Sequence, residues 1–239
     1  LFSDGSNIQR KPKGHLYLYP LIAIAAMLAI VFVMDLPHMH KPKQQLSQTI
    51  RIPAGQRAQM DLPDGSVVWL NSQTTLTYDE NFGKKDRKVT LDGEAYFEVA
   101  HNKEIPFYVQ TENIKVQVTG TKFDVCSYKG SNSFIARLIE GSINLLTNNA
   151  KEEKPITSLT KGKYFSMENG KYKTGEMSSN NALAWMQGIY YFDDVPFKEL
   201  LDKIALYYNY KITVKNPKIL ENYRCTGKFK DLDGIEHIL

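Results

Sequence analysis

Hydrophobic positions follow three different patterns along the 239-residue chain, and the pattern changes near residues 48 and 184. The first pattern is an uncharged run over 16–34, LYLYPLIAIAAMLAIVFVM. As an α-helix this run would rise about 28 Å, close to the thickness of the hydrocarbon core of a bilayer. The run ends in Met34-Asp35-Leu36-Pro37 without the small-x-small site of a cleaved signal peptide. We therefore predict a single transmembrane helix over 16–34.

Basic residues flank this run on both sides. Arg10, Lys11 and Lys13 precede it and Lys41 and Lys43 follow it, so the positive-inside rule only slightly favours a cytoplasmic N-terminal segment, 1–15. Residues 35–48 are polar, contain two prolines and are predicted to be a linker. His38 and His40 in this linker have no further ligand residues at metal-site spacing. Because the chain begins with Leu1, we expect the natural N-terminus to lie upstream.

The second pattern is a period-2 alternation over 49–167, which predicts an all-β domain. Ala58, Met60 and Leu62 alternate with polar residues, and Pro63-Asp64-Gly65 has the composition of a turn before the return strand 67–70. Further short runs of the same kind continue to Leu145, separated by glycines and polar residues. Because no helical pattern interrupts these strands, we expect a β-sandwich, a jelly roll or a related β-roll.

The third pattern begins after a polar stretch, 168–184, that we predict to be a second linker. In 185–239 a strand over 189–192 is followed by apolar residues at helical spacing from Phe197 to Tyr208, with Asn209 as the expected stop. Strands over 211–214 and 223–229 and a second helix from Leu232 would complete a β-α-β-β-α order. This order lacks a closing strand, so we expect the natural protein to continue. The fold class is therefore mainly β with a small, incomplete α+β domain.

Composition and motifs argue against several classes of function. A net charge of +4 without a clustered basic face does not indicate nucleic-acid binding, and the short run Lys84 to Lys88 is interpreted as a solvated loop or strand edge. Cys126 and Cys225 lie far apart, so we expect packed thiols rather than a disulfide framework. The chain has no phosphate loop and no nucleophile elbow, and its five histidines are scattered. No metal or cofactor site and no enzymatic activity are predicted.

Two short features deserve a chemical interpretation. Glu94 and Glu98 alternate onto the outer face of one strand and are expected to be solvated carboxylates. In Gly120-Thr121, the threonine hydroxyl could attack the preceding carbonyl, although a turn between strands 114–119 and 122–127 is the simpler interpretation.

Several motifs, in order, resemble those of the FecR-type anti-sigma factors. They are LPDGSVVWLN from Leu62 to Asn71, VTLDGEAYFEV from Val89 to Val99, Pro106-Phe107, VTGTKF from Val118 to Phe123, and LIEGS from Leu138 to Ser142. The positions that carry the family motif are Leu62, Pro63, Asp64, Gly65, Trp69, Leu70, Gly93, Glu94, Phe97, Gly120, Thr121, Phe123, Glu140 and Gly141. The tail is similar to the secretin and TonB short N-terminal (STN) domain, through Trp185, Gly188, Phe192, 200–208, Gly227 and Phe229.

The resemblance implies a role, a location and two partners. Such proteins sit in the inner membrane with a cytoplasmic N-terminus and periplasmic C-terminal domains. They receive a signal from the signalling domain of a TonB-dependent outer-membrane transporter and pass it to an extracytoplasmic-function sigma factor. Here the sigma-binding segment would precede residue 1. Some members cleave themselves at a Gly-Thr that corresponds to Gly120-Thr121.

Two other classes of function remain open at this stage. The first is a membrane-anchored periplasmic carbohydrate- or ligand-binding β domain, for which exposed aromatics such as Tyr78, Tyr96, Tyr108 and Tyr128 would line a concave site. The second is an enzyme on a β-roll scaffold, which would need a cluster of titratable groups in one cleft.

Overall fold

The computed structural model describes residues 18–35, 46–84, 86–148, 152–177 and 180–230. The chain forms two compact units, Leu1–Gln45 and Leu46–Leu239. The described element of the first unit is helix α1 (Leu18–Asp35), which lies within one or two residues of the predicted helical run. Among the described residues, no helix combines the length and the apolar character needed to cross a membrane. The membrane-spanning role of 16–34 stays a prediction, and the segments 1–15 and 36–45 lie outside the described residues.

The described residues of the second unit begin with thirteen strands of one curled sheet. They are β1 (Ser47–Arg51), β2 (Ala58–Asp61), β3 (Val67–Leu70), β4 (Thr75–Asp79), β5 (Arg87–Glu98), β6 (Phe107–Gln110), β7 (Ile114–Val118), β8 (Lys122–Ser127), β9 (Ser133–Glu140), β10 (Ser142–Thr147), β11 (Pro155–Thr160), β12 (Lys163–Glu168) and β13 (Lys171–Glu176). The mainly β class predicted from the alternation is confirmed.

Strand β5 belongs to both halves of the sheet. Its first part pairs with β4 and, in parallel, with β6, whereas its second part pairs with β3 and β8. The first half of the sheet has the order β1-β4-β5-β6-β7-β10-β11, and the second half has the order β2-β3-β5-β8-β9-β12-β13. The change of neighbours falls at Gly93, whose φ is +133°. A Cβ there would lie 2.4 Å from Thr74 Oγ1, so only glycine fits this crossing point.

One hydrophobic core draws residues from both halves of the sheet. Phe97, Phe107 and Phe123 are fully buried, and the rings of Phe97 and Phe123 stack with centroids 5.1 Å apart. Leu62 and Leu70, two apolar members of the motif, are buried in the same core. The inward positions read from the alternation are therefore the core positions.

The remaining described elements are a 3-10 helix (Asn180–Gln187), β14 (Ile189–Pro196), helix α2 (Phe197–Tyr208), helix α3 (Lys218–Asn222) and β15 (Arg224–Lys230). Strands β14 and β15 form an antiparallel pair. Helix α2 matches its predicted bounds, and Asn209 ends it in the left-handed region with φ 56°.

Two segments differ from the prediction. The stretch 168–184, expected to be a linker, contains β13 and the beginning of the 3-10 helix. Strand β13 is almost entirely exposed, so neither of its faces carries the apolar alternation that predicts a strand. The turn Asn169-Gly170, with positive φ at both residues, joins β13 to β12. The strand predicted over 211–214 is irregular chain, and the segment after it turns at Pro217 into α3. The helix predicted from Leu232 lies outside the described residues.

Candidate functional site

The C-terminal elements cover the outer face of the second half of the sheet. On that face Trp69, Tyr96 and Ile139 pack against a cluster from the C-terminal elements. The buried members of this cluster are Trp185, Tyr190, Phe192, Leu200, Ile204, Tyr207 and Phe229. We call the contact between 180–230 and the sheet the docking interface. It is the place where the two parts of the unit can influence each other.

Polar contacts from the loop after β3 fix the end of α2 at the docking interface. Ser72 Oγ donates to the carbonyl of Tyr207 at 3.2 Å, and Gln73 Nε2 donates to the carbonyl of Leu206. The Tyr190 hydroxyl donates to Asn71 Oδ1 at 3.4 Å. The last carbonyls of a helix have no partner within the helix, so this loop supplies the donors that they need.

A charged cluster lies beneath these contacts. Arg137 Nη1 is 2.6 Å from Asp124 Oδ2 and 3.8 Å from Glu94 Oε1. Glu94 Oε2 also accepts a hydrogen bond of 2.6 Å from Asn71 Nδ2. Asp124 is fully buried and Glu94 is 5% exposed. The expectation that Glu94 is a solvated carboxylate is therefore wrong, because the C-terminal elements cover a face that alternation alone assigns to solvent.

Burial changes the proton affinities in this cluster. It raises the pKa of Asp124 to about 7, since the opposing charge of Arg137 only partly offsets the loss of water and Glu94 adds a repulsion. Burial disfavours the charged form of Arg137, but Asp124 and Glu94 outweigh it and raise the pKa of that guanidinium. Burial also raises the pKa of the Cys126 thiol and of the Tyr207 hydroxyl. The cluster thus combines two buried carboxyls with one permanent cation, whose side chain is 19% exposed.

The Gly120-Thr121 peptide is tightly enclosed. A Cβ at position 120 would lie 2.4 Å from His101 Nδ1, and a Cβ at position 141 would lie 2.9 Å from Thr121 Oγ1. Thr121 is buried, its hydroxyl donates to the carbonyl of Ser142 at 3.1 Å, and its own carbonyl accepts from the Val99 amide at 3.0 Å. Glycine at 120 and 141 is therefore a steric requirement, and the hydroxyl of Thr121 is held in one orientation.

Asp64 of the motif has an unpredicted partner in Arg87. The guanidinium of Arg87 is 2% exposed and its Nη1 lies 3.1 Å from Asp64 Oδ2. Its other donors reach the carbonyls of Ala100, Asn102 and Ile105. The interpretation of the basic run 84–88 as solvated is wrong for this residue. The sequence feature that indicates burial of Arg87 is its position in the alternation, two residues before Val89 on the same strand.

The other motif residues have mainly structural positions. Pro63 and Gly65 form the turn before β3, and Gly65 has a φ of +81°. Trp69 contacts Tyr96 at 5.4 Å between ring centroids, within the docking interface. Glu140 is exposed, and Gly141 follows it with a φ of +95°. The motif therefore maps onto the core, the tight turns and the docking interface rather than onto one catalytic cleft.

The four candidate aromatics do not share a concave site. Tyr78 and Tyr96 are buried, and Tyr108 on β6 and Tyr128 in the loop after β8 are half-buried. A cleft of about 680 Å³ does lie between β9, β12 and the β14–β15 pair, but its lining includes Arg137, Tyr164 and Tyr191 and none of those four tyrosines. Cys126 and Cys225 are free thiols, and both are half-buried rather than in a core. Within the described ranges, no three His, Cys, Asp or Glu side chains are grouped to hold a metal ion.

Comparison with known proteins agrees with this mainly β unit and its docked C-terminal segment. Residues 48–144 match the FecR protein family, and residues 189–239 match the FecR C-terminal family. No curated protein matches the chain. Together the two family matches span more than half of the sequence in the expected order, so both the sheet and the C-terminal part are similar to FecR-family sequences.

Two crystal structures have a similar fold. Both are of a "putative anti-sigma factor" from Parabacteroides distasonis ATCC 8503, at 2.50 Å and 1.65 Å resolution. The first is 26% identical, has a TM-score of 0.71, and the match covers 81% of this chain and 89% of that chain. The second is 25% identical with the same TM-score, and the match covers 80% and 88% of the two chains. The likeness therefore extends over both the sheet and the C-terminal elements.

Proposed function

We propose that this protein regulates a sigma factor. The observation that carries the proposal is the presence of both FecR-family parts, in order, in one compact unit whose C-terminal part is docked on the sheet. The similar fold of an anti-sigma factor candidate supports it. Such a unit suits a receiver, because a partner that binds the C-terminal elements would change contacts at the docking interface.

The proposal has a spatial form. Residues 16–34 cross the inner membrane once, the N-terminal side is cytoplasmic, and the unit from Leu46 onward is periplasmic. There the C-terminal part, with its STN-like motifs, meets the signalling domain of a TonB-dependent transporter. An extracytoplasmic-function sigma factor is held on the cytoplasmic side. The uncharged run and the family resemblance support this arrangement.

Co-purification tests the sigma partner. The protein is expressed from its own gene with a C-terminal tag, solubilised in mild detergent and captured, and the bound proteins are quantified by mass spectrometry. We expect one sigma factor to be enriched over a control capture of an unrelated single-pass protein carrying the same tag. Equal recovery of sigma factors in both captures would refute the proposed partner.

Alkaline phosphatase fusions test the topology. The enzyme is active only outside the cytoplasm, so a fusion after Thr49 should be active and a fusion after Lys13 inactive. Both fusions contain the same enzyme and differ by residues 14–49, which include the run 16–34. Activity of the Lys13 fusion, or an inactive but stable Thr49 fusion, contradicts the arrangement.

Self-cleavage at Gly120-Thr121 is a further part of the proposal. The Thr121 hydroxyl would attack the Gly120 carbonyl carbon, the C–N bond would break as the nitrogen takes the hydroxyl proton, and water would hydrolyse the resulting ester. The enclosure of this peptide by His101 and Gly141 and the oriented hydroxyl support the proposal.

Denaturing electrophoresis and mass spectrometry of the full chain test this step. The unaltered protein should yield fragments that end at Gly120 and begin at Thr121. Thr121→Val should stay intact because it keeps the shape without the nucleophile, whereas Thr121→Ser should still cleave. An unaltered protein that remains one intact chain, or a Thr121→Val variant that cleaves, would refute the proposal.

A further inference from the structure

The cluster at the docking interface contains more acid than base. The carboxylates of Asp124 and Glu94 share one nitrogen of Arg137, at 2.6 Å and 3.8 Å, and the Asp124 carboxyl has no exposed surface. If both carboxyls are ionised, the buried site holds a net negative charge. A buried net charge is costly, and the cost is relieved either by a proton or by the return of water.

Asp124 also faces an indole from the docked segment. Its Oδ1 and the Nε1 of Trp185 are both buried, and neither makes a hydrogen bond of normal geometry. The two groups nevertheless interact across the docking interface, where the indole N–H favours the charged form of Asp124. Trp185 belongs to the 3-10 helix that leads into β14. The protonation state of the Asp124 carboxyl therefore directly affects a side chain of the docked segment.

We propose that Asp124 is a proton-linked latch, whose neutral carboxyl keeps segment 180–230 docked on the sheet and whose ionised carboxylate loosens it. The latch adds a second input to the unit, independent of which protein the C-terminal part binds. Release would uncover the apolar side chains of Trp69, Tyr96 and Ile139 on the sheet.

The sign follows from proton linkage. In the docked state burial raises the pKa of Asp124 from 3.8 to about 7. Undocking returns water to the site, so the pKa falls toward its ordinary value. The docked state therefore binds the proton more tightly. Docking weakens as the pH rises from about 3.8, the ordinary pKa of Asp124, toward about 7, its pKa in the docked state. Well above that point both states are ionised and the effect levels off.

Several ionisable and polar groups surround Asp124. The groups near Asp124 from each packed element are Glu94 and Tyr96 on β5, Cys126 on β8, Arg137 on β9, Trp185 on the 3-10 helix, and Lys203 on α2, which acts on Cys126. Burial raises the pKa of Tyr96 and of Cys126, so these two stay neutral. Arg137 stays charged because its pKa is raised by the two acids. Glu94 is the other carboxyl in the site and is tested separately below.

Hydrogen–deuterium exchange on the full chain in detergent tests the latch. Exchange is compared at about pH 6 and about pH 8.5, after correction for the intrinsic rate. We expect the amides of 180–230 to exchange about tenfold faster, relative to the intrinsic rate, at the higher pH. Core strands β5 and β8 should keep their protection, which separates undocking from global unfolding. Equal protection of 180–230 at both pH values would overturn the proposal.

Two variants identify the carboxyl. Asp124→Asn keeps the shape and an oxygen acceptor for Arg137 but cannot ionise, so 180–230 should stay protected at both pH values. Glu94→Gln should retain a pH-dependent release because Asp124 is unchanged. Undiminished pH dependence in Asp124→Asn overturns the latch, as does its loss in Glu94→Gln alone. If Asp124→Asn fails to fold, as shown by lost protection of β5 and β8, Asp124→Glu replaces it. The pH at which the protection of 180–230 is half lost is then compared between Asp124→Glu and the unaltered protein. An identical pH for both proteins overturns the proposal.

Discussion

Replacing Arg87 with methionine is expected to destabilise the β unit severely. Arg87 is 2% exposed and Asp64 is 6% exposed, and the two side chains form an ion pair of 3.1 Å. The guanidinium also donates to the carbonyls of Ala100 at 2.7 Å and Ile105 at 2.7 Å, which lie on the chain between β5 and β6. Methionine fills similar space but supplies no donor. The Asp64 carboxylate would be left buried without its cation.

The magnitude follows from the loss of one partner of a buried pair. Such a change costs about 3–5 kcal/mol, because the remaining charge is uncompensated. The carbonyls that lose their donors add to this cost, although some of them can regain water if the β5–β6 connection moves. We therefore expect the free energy of unfolding to fall by about 4 kcal/mol.

Urea titration of the full chain in detergent, followed by tryptophan fluorescence, measures this loss. Lys88→Met is the matched control, because Lys88 is the next residue on the same strand and is not buried; it should change the free energy by less than about 1 kcal/mol. Asp64→Asn in the Arg87→Met background should recover part of the loss, since it removes the uncompensated charge. The reasoning is refuted if Arg87→Met lies within about 1 kcal/mol of the unaltered protein, or if Lys88→Met is equally damaging.

Two further substitutions probe the crossing strand and the docking interface. Gly93→Ala should lower the free energy of unfolding by about 3 kcal/mol or more in the same titration, because its Cβ would lie 2.6 Å from the Thr74 Cα at a φ of +133°. Gly130→Ala is the control; it has open space around it and should cost about 1 kcal/mol. Similar losses for both variants would contradict the steric argument. Ile204→Ala removes a fully buried side chain from the docking interface and should cost about 2–5 kcal/mol, seen first as faster amide exchange in 180–230. Lys198→Ala, on the exposed face of α2, is its control. If exchange becomes faster in the core strands earlier than in 180–230, that result would count against local undocking.

The sheet was largely predictable because one physical signal dominates it. Each strand with one face in the core alternates, so Leu62, Leu70, Phe97 and Phe123 could be assigned to the interior from the sequence. Helix α2 was predictable for the same reason, through apolar residues at helical spacing and a stop at Asn209.

The failures occur where burial depends on contacts that are distant in sequence. Glu94 and Asp124 point away from the core of the sheet, and only the docking of 180–230 removes them from water. Arg87 sits in a basic run that suggests solvent, yet its partner Asp64 is 23 residues away. Strand β13 has polar residues on both faces, so its one local signal was the turn at Asn169-Gly170.

Transcription in the native host tests the central claim most directly. RNA sequencing compares a strain lacking this gene with the same strain carrying the unaltered gene or an Ile204→Asp allele, which places a charge in the docking interface. The account predicts that loss of the gene changes a set of transcripts that share one promoter sequence, that the unaltered gene restores them, and that the Ile204→Asp allele does not respond normally to the inducing condition. Unchanged transcripts in the strain lacking the gene, under inducing and non-inducing conditions alike, would contradict the role in sigma-factor control.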